Sequence, residues 1–321
     1  MDVIVTNLIP RAGVDLLEGA GLRVDMPEDG GRPAREEVLG RIAGAHGVIT
    51  LLTDRVDDEF LRAAGPQLRI VANVAVGYDN IDLAACAAHG VAVTNTPRVL
   101  TDATADLTFG LILATSRRIG EGDRLVRSGA PWQWGMFMLL GRGLQGKHLG
   151  IVGAGNIGQA VARRARAFGM EVLCYEPHEL PKEQLEALAL KQVGLDELLQ
   201  RSDVVSIHCP YTPDTHHLIG EAQLAAMKQD AYLINTARGP IVDEQALVRA
   251  LEAGRIAGAG LDVYEHEPAV PESLRRLENV VLLPHLGSAT VETREAMALL
   301  AAENVLNVVV KGIAPVTPVR G

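Results

Sequence analysis

Aromatic residues make up only 3% of the 321-residue chain, too few for the stacking platforms on which single-strand nucleic-acid binders rest bases. Positive charge is not in excess either. With 30 basic against 40 acidic residues the formal charge is −10, which offers no footprint for a phosphate backbone or an anionic membrane. Nucleic acid and membrane are therefore not expected as partners. Apolar runs such as 109–114 fall far below membrane-spanning length, and no basic n-region opens the stretch from Met1 to Asn7, so a cytoplasmic protein is expected. Cysteine is scarce. Cys86, Cys174 and Cys209 stand far apart and form neither a disulfide framework nor a zinc-spaced cluster, and the spacings around His208 and His266 suggest no metal. His216 and His217 are expected on an exposed loop.

What the chain has is length for about two domains and a composition, 48% apolar and 22% charged, that should fold throughout. Short β-branched runs alternate with amphipathic stretches, the pattern of βαβ units and parallel sheets. One series predicts strands near Val3, Arg23, Val48, Leu68 and Val91. A second predicts six, starting near Leu149, Val172, Val204, Tyr232, Gly258 and Val280. Between them, residues 100–119 read as one long helix, and a last helix is expected from about Thr290 to Val310. That helix comes too late for the second sheet and packs most simply on the first. The expectation is an α/β protein of two doubly wound, Rossmann-like or flavodoxin-like domains with a cleft between them: residues 1–99 plus 288–321 as a discontinuous substrate domain, and residues 100–287 as a nucleotide domain, joined by a hinge.

Gly153-Ala154-Gly155-Asn156-Ile157-Gly158 follows the apolar run Leu149–Val152 and opens a helical pattern whose inner face is Ile157, Val161, Ala165 and Phe168. In that setting the glycines serve a tight turn, close approach of backbone to a pyrophosphate, and close packing of helix on strand, while the helix N-terminus supplies free N–H groups. Glu176 closes the next strand, where an acid can hydrogen-bond ribose hydroxyls and repel a 2′-phosphate. NAD(H) is favoured, and NADP(H) stays open because His178 and Lys182 stand near.

Ligands of open parallel sheets lie beyond the carboxyl ends of the strands. Arg238, Glu267 and His285 each follow such an end. Hydride reduction of a 2-oxo acid needs a cation to hold the carboxylate and an acid to protonate the oxygen. Arg238 suits the first task and His285 the second, with Glu267 favouring the imidazolium. In the first series, 73–79 is a glycine loop after a strand whose free N–H groups can bind a carboxylate.

These residues resemble the D-2-hydroxyacid dehydrogenase family over essentially the whole chain. The likeness lies in the arginine motif 235–243 (NTARGPIVD), the glutamate motif 260–268 (GLDVYEHEP) and the histidine motif 284–290 (PHLGSAT). Residues 99–106 and 73–82 are most similar to glyoxylate/hydroxypyruvate reductases. The resemblance implies NAD(P)H-dependent reduction of a small 2-oxo acid to the D-2-hydroxy acid, with Arg238, Glu267 and His285 catalytic. It also implies substrate contact by Val76 and Gly77, and cofactor contacts at Thr104, Cys209, Pro210, Thr236, Ala237, Asp262 and Gly287. A homodimer built on the cofactor domains follows, with Trp132 or Trp134 reaching a neighbouring site. Formate dehydrogenases differ by a glutamine where this chain has Glu267, and the regulatory domain of many phosphoglycerate dehydrogenases is not expected, since the chain stops at Gly321. Phosphite dehydrogenase shares the Arg, Glu and His arrangement, and other D-2-hydroxyacid dehydrogenases, of 2-ketogluconate or phosphoglycerate, remain alternatives. Many NADP-using reductases carry arginine near position 176, where Glu176 departs. From another class, NAD(H)-sensing corepressors resemble the same family.

Overall fold

The computed structural model describes residues 1–31 and 33–319; Arg32 and the two residues that close the expected first domain, Arg320 and Gly321, lie outside the described residues. Two compact units divide the chain, Met1–Leu100 with Ser288–Gly321, and Thr101–Gly287. Along the first part run β1 (Asp2–Val5), α1 (Arg11–Gly19), β2 (Arg23–Asp25), α2 (Arg35–Arg41), β3 (Gly47–Thr50), α3 (Asp58–Ala64), β4 (Ile70–Asn73), α4 (Leu83–Ala88) and β5 (Ala92–Thr94). Then follow α5 (Thr101–Ser116), α6 (Ile119–Arg127), β6 (His148–Val152), α7 (Asn156–Ala167), β7 (Glu171–Tyr175), α8 (Lys182–Leu188), β8 (Leu190–Gln192), α9 (Leu195–Arg201), β9 (Val204–Ile207) and α10 (Glu221–Ala226). The last elements are β10 (Tyr232–Asn235), α11 (Glu244–Glu252), β11 (Gly258–Leu261), α12 (Glu272–Arg275), β12 (Val280–Leu282) and α13 (Val291–Val309).

In the first unit five parallel strands lie in the order β2-β1-β3-β4-β5. Strands β3 and β4 are wholly buried, as central strands of a sheet covered on both faces must be. Helix α13 starts at Thr290, whose side chain accepts from the Thr293 N–H at 3.2 Å, and it packs on α1, β3 and β4. Gly13 is needed there, because a Cβ would stand 2.7 Å from the Ala298 carbonyl oxygen.

The second unit holds seven parallel strands in the order β12-β11-β10-β9-β6-β7-β8. The chain moves outward from β6 to β8, then returns beside β6 and moves the other way, so the topological switch point lies between β6 and β9. One strand more than the six predicted is present. Leu190-Lys191-Gln192 has no β-branched residue and pairs only as an edge, against Val172, Leu173 and Cys174 of β7.

The helix predicted over 100–119 is α5, three residues shorter at its end, and a second helix, α6, follows where none was predicted. The Ser116 carbonyl, which would have continued α5, accepts instead from the Arg142 N–H at 2.8 Å. Arg118 then takes a left-handed φ of +55° and pairs with Glu121 in the first turn of α6. A second correction concerns Phe168. Helix α7 ends at Ala167, and Phe168 is exposed, stacked on Phe109 at 5.1 Å rather than sharing the buried face of Val161 and Ala165.

Candidate active site

Strand β6 delivers the chain to Gly153 with φ +98°, and a Cβ there would strike the backbone of His208 and Cys209 just beyond β9. A Cβ on Gly158 would strike the Gly153 carbonyl, so the first turn of α7 sits directly on the loop. Helix α7 has 12 residues and an N-cap, Gly155, without a side-chain cap, so its first N–H groups face outward at the switch point. Glu176 stands over this loop and accepts the Ala154 N–H. The residues Gly153, Gly155, Asn156, Ile157, Gly158, Glu176, Cys209 and Pro210 are thus gathered at the ends of β6, β7 and β9. Burial first, and then the Glu176 charge, push the Cys209 thiol up to about 11, which leaves it a neutral lining group. Burial also pushes the His208 imidazole down to about 3, with Ser206 Oγ 2.8 Å from its Nε2, so this histidine is uncharged at neutral pH.

The next strand ends carry the titratable groups. After β10, the Asn235 side chain closes a turn by accepting from the Ala237 N–H at 3.0 Å and donating to the Arg238 carbonyl at 2.9 Å. Gly239 follows, pressed on the Tyr264–Glu265 peptide so closely that no Cβ fits, and this brings the arginine turn against the loop that carries Glu267. Thr236 Oγ1 lies 2.9 Å from Thr108 Oγ1, whose hydroxyl also lies 2.8 Å from the Thr104 carbonyl. A Cβ on Gly287 would lie 3.4 Å from Thr104 Cγ2 and 3.3 Å from Asp262 Oδ2, so Thr104, Thr236, Asp262 and Gly287 converge as well.

Asp262 is 1% exposed and organises the histidine turn. Its carbonyl accepts from the His285 N–H at 2.8 Å, and its two carboxylate oxygens accept from Leu286 at 2.6 Å and Gly287 at 2.8 Å. Burial pushes this carboxyl up, against the pull of those N–H groups and of His285. Held by three successive N–H groups, His285 adopts φ +57°, and its Nδ1 stands 2.8 Å from Glu267 Oε2. The other Glu267 oxygen accepts from the Tyr264 N–H at 3.0 Å. Burial works to raise the Glu267 carboxyl, but the His285 bond and charge, the Tyr264 N–H and the Arg238 charge outweigh it and hold it below the ordinary glutamate range. With Nδ1 turned to Glu267, Nε2 is the ring atom left to face a ligand.

In the first unit, the loop after β4 carries Val76 and Gly77. The Asn95 side chain donates to the Val76 carbonyl at 2.8 Å, and the Asn73 side chain donates to the Gly77 carbonyl at 3.0 Å. Within a planar peptide the next N–H points opposite the carbonyl, so the Gly77 and Tyr78 N–H groups turn away from these amides. Trp132 and Trp134 lie exposed between α6 and β6.

Sequence reading missed Tyr264, whose hydroxyl donates to the Leu283 carbonyl at 2.9 Å and ties the glutamate loop to the end of β12; a tyrosine between two motif residues carries no signal of that. It also missed that His217 is engaged, since only His216 is exposed while His217 bonds Glu265. Among the described residues no group of three or more His, Cys, Asp or Glu is placed to hold a metal ion, and no helix is long and apolar enough to cross a membrane.

Residues 109–287 match the family model described as D-isomer specific 2-hydroxyacid dehydrogenase, NAD binding domain. A glyoxylate reductase of Thermococcus litoralis is 48% identical over 309 residues, 95% of this chain and 92% of the relative. Among solved structures, the TT0316 protein of Thermus thermophilus is 45% identical with a TM-score of 0.91, covering 100% of both chains. The NADPH-dependent glyoxylate/hydroxypyruvate reductase of Sinorhizobium meliloti is 35% identical with a TM-score of 0.85, over 99% of this chain and 96% of that one.

Proposed function

The chain belongs to the D-isomer specific 2-hydroxyacid dehydrogenases, and from that premise we propose that it reduces a small 2-oxo acid, glyoxylate or hydroxypyruvate, to the D-2-hydroxy acid with NAD(P)H. The observation that carries this reading is the His285–Glu267 pair at 2.8 Å, set at the carboxyl end of the same sheet as the glycine loop and beside the Arg238 turn. The loop fits a dinucleotide: a turn that no side chain can fill, an uncapped 12-residue helix and an acid above it. Bound there, the cofactor supplies the hydride.

His285 holds the proton at Nε2 and delivers it to the carbonyl oxygen as that oxygen gains charge. Glu267 keeps the imidazole oriented and favours its charged form. Arg238 binds the substrate carboxylate and polarises the carbonyl, and the N–H groups of the Val76-Gly77 loop suit a carboxylate. Asp262, Thr104, Thr236, Ala237 and Gly287 would contact the bound cofactor. Glu176 takes the ribose hydroxyls, which favours NADH over NADPH.

The unit Thr101–Gly287 is assigned the cofactor and the unit Met1–Leu100 with Ser288–Gly321 the substrate loop. The exposed apolar residues Trp132, Trp134, Met136 and Phe137 support a homodimer, and three free thiols suit the cytoplasm. Loss of NADH absorbance with glyoxylate, hydroxypyruvate, pyruvate and 2-ketogluconate, alongside phosphite plus NAD, tests the reaction. Fastest turnover of glyoxylate or hydroxypyruvate is expected; turnover of phosphite alone would overturn the substrate class, and NADH binding with no turnover at all would favour a sensor.

A further inference from the structure

We propose that His217 is a positioning residue for the proton-donating pair, joining the arginine turn to the glutamate loop from behind; this rests on the roles just given to Glu267 and His285. Its backbone N–H donates to the Pro240 carbonyl at 2.9 Å, two residues after Arg238. The contact continues where the Ile219 N–H donates to the Ile241 carbonyl at 3.1 Å and Ile219 bridges Val242. Its ring reaches the other loop, with Nε2 2.6 Å from Glu265 Oε1, two residues before Glu267. One residue thus holds both turns that carry the reacting groups.

The surroundings fix that residue in place. His217 has φ +50°, a left-handed conformation uncommon for L-residues but enriched in Asn, Asp and His, and its ring stacks on His216 with centroids 4.0 Å apart. The Glu265 N–H faces Glu244 Oε2 at 3.5 Å, a carboxyl that burial pushes up, and the nearby His266 opposes that rise. The Glu265 carboxylate has His217 as a hydrogen-bonding partner. Through the Tyr264–Glu265 peptide this reaches Glu267, because the Tyr264 N–H holds the Glu267 oxygen that His285 does not use. A displaced Glu265 displaces the Tyr264 N–H and, with it, the carboxylate facing His285.

The test compares the full-length chain with His217→Ala, which removes the bond, His217→Gln, which retains an N–H donor, and Glu265→Gln, which removes the acceptor charge. The His285 imidazole resonance, assigned by its loss in His285→Asn, is followed against pH without substrate. Turnover of NADH with glyoxylate is measured in parallel. His217→Ala and Glu265→Gln should move the midpoint of the His285 titration and cut kcat by about ten- to a hundredfold, the cost of misplacing a group by roughly an ångström. KM for NADH should hold, and His217→Gln should restore the wild-type curve. A His285 titration in Glu265→Gln and His217→Ala that overlays the wild type overturns the proposal, even if Tm falls. Should wild type reduce no 2-oxo acid, the proposed reaction fails while the titration curves still decide the role of His217.

Discussion

Replacing Glu267 with glutamine keeps the side-chain shape and removes its charge 2.8 Å from the His285 ring. An opposite charge at such range favours the charged form of a titrating group by about 1–3 pH units, each worth about 1.4 kcal/mol. The two side chains are 25% and 29% exposed, so water screens part of the interaction. The alkaline limb of kcat/KM for reduction, where the donor loses its proton, should therefore move down, costing about tenfold in rate for each pH unit it moves. Because the Glu267 carboxyl is held below the ordinary range, its contribution to stability is present above that range and is lost as pH falls through the depressed value. The glutamine variant lacks that loss. The assay is NADH-dependent reduction of glyoxylate across pH, with chemical denaturation over the same range. A variant whose alkaline limb stays where wild type has it, whatever its plateau rate, would refute the coupling.

Gly239→Ala places a methyl group against the Tyr264–Glu265 peptide, so it should lose about 1–3 kcal/mol in urea denaturation and depress kcat together with stability. Glu176→Gln should lower the ratio of kcat/KM for NADH to that for NADPH by about tenfold or more, since a hydrogen bond to a charged group is worth roughly 1.5–3 kcal/mol; an unchanged ratio would remove Glu176 from cofactor choice. Arg238→Gln should raise KM for glyoxylate and lower kcat while NADH affinity, measured by fluorescence titration, holds.

Much of this site is legible without coordinates because each motif is a local solution to a local constraint. The glycines at 153 and 158 must admit backbone at van der Waals distance, and a residue type that answers such a need stands out in a sequence. Arg238, Glu267 and His285 stand out because each follows an apolar run, and sheet topology gathers strand ends. What stays hidden depends on partners far along the chain. The end of α5 is legible to within a few residues, but the second helix α6 is not, and the Arg142 N–H that takes the Ser116 carbonyl comes from far along the chain. Strand β8 owes its existence to the free edge of β7 rather than to its own residues. Asp262 reads as a cofactor contact, yet both its carboxylate oxygens hold the histidine turn, which needs residues 285–287 in place to be seen. His217 reads as a solvated loop residue because the neighbouring His216 is one.

The most direct measurement is single-turnover reduction of glyoxylate by His285→Asn with NADH binding followed in the same sample. Asparagine cannot carry a proton to the carbonyl oxygen, so NADH should bind as in wild type while the chemical step slows by at least about a hundredfold, the low end of what general acid catalysis contributes. A variant that binds NADH and reduces glyoxylate at the wild-type rate would contradict the assignment of His285, and with it the reading of the whole site.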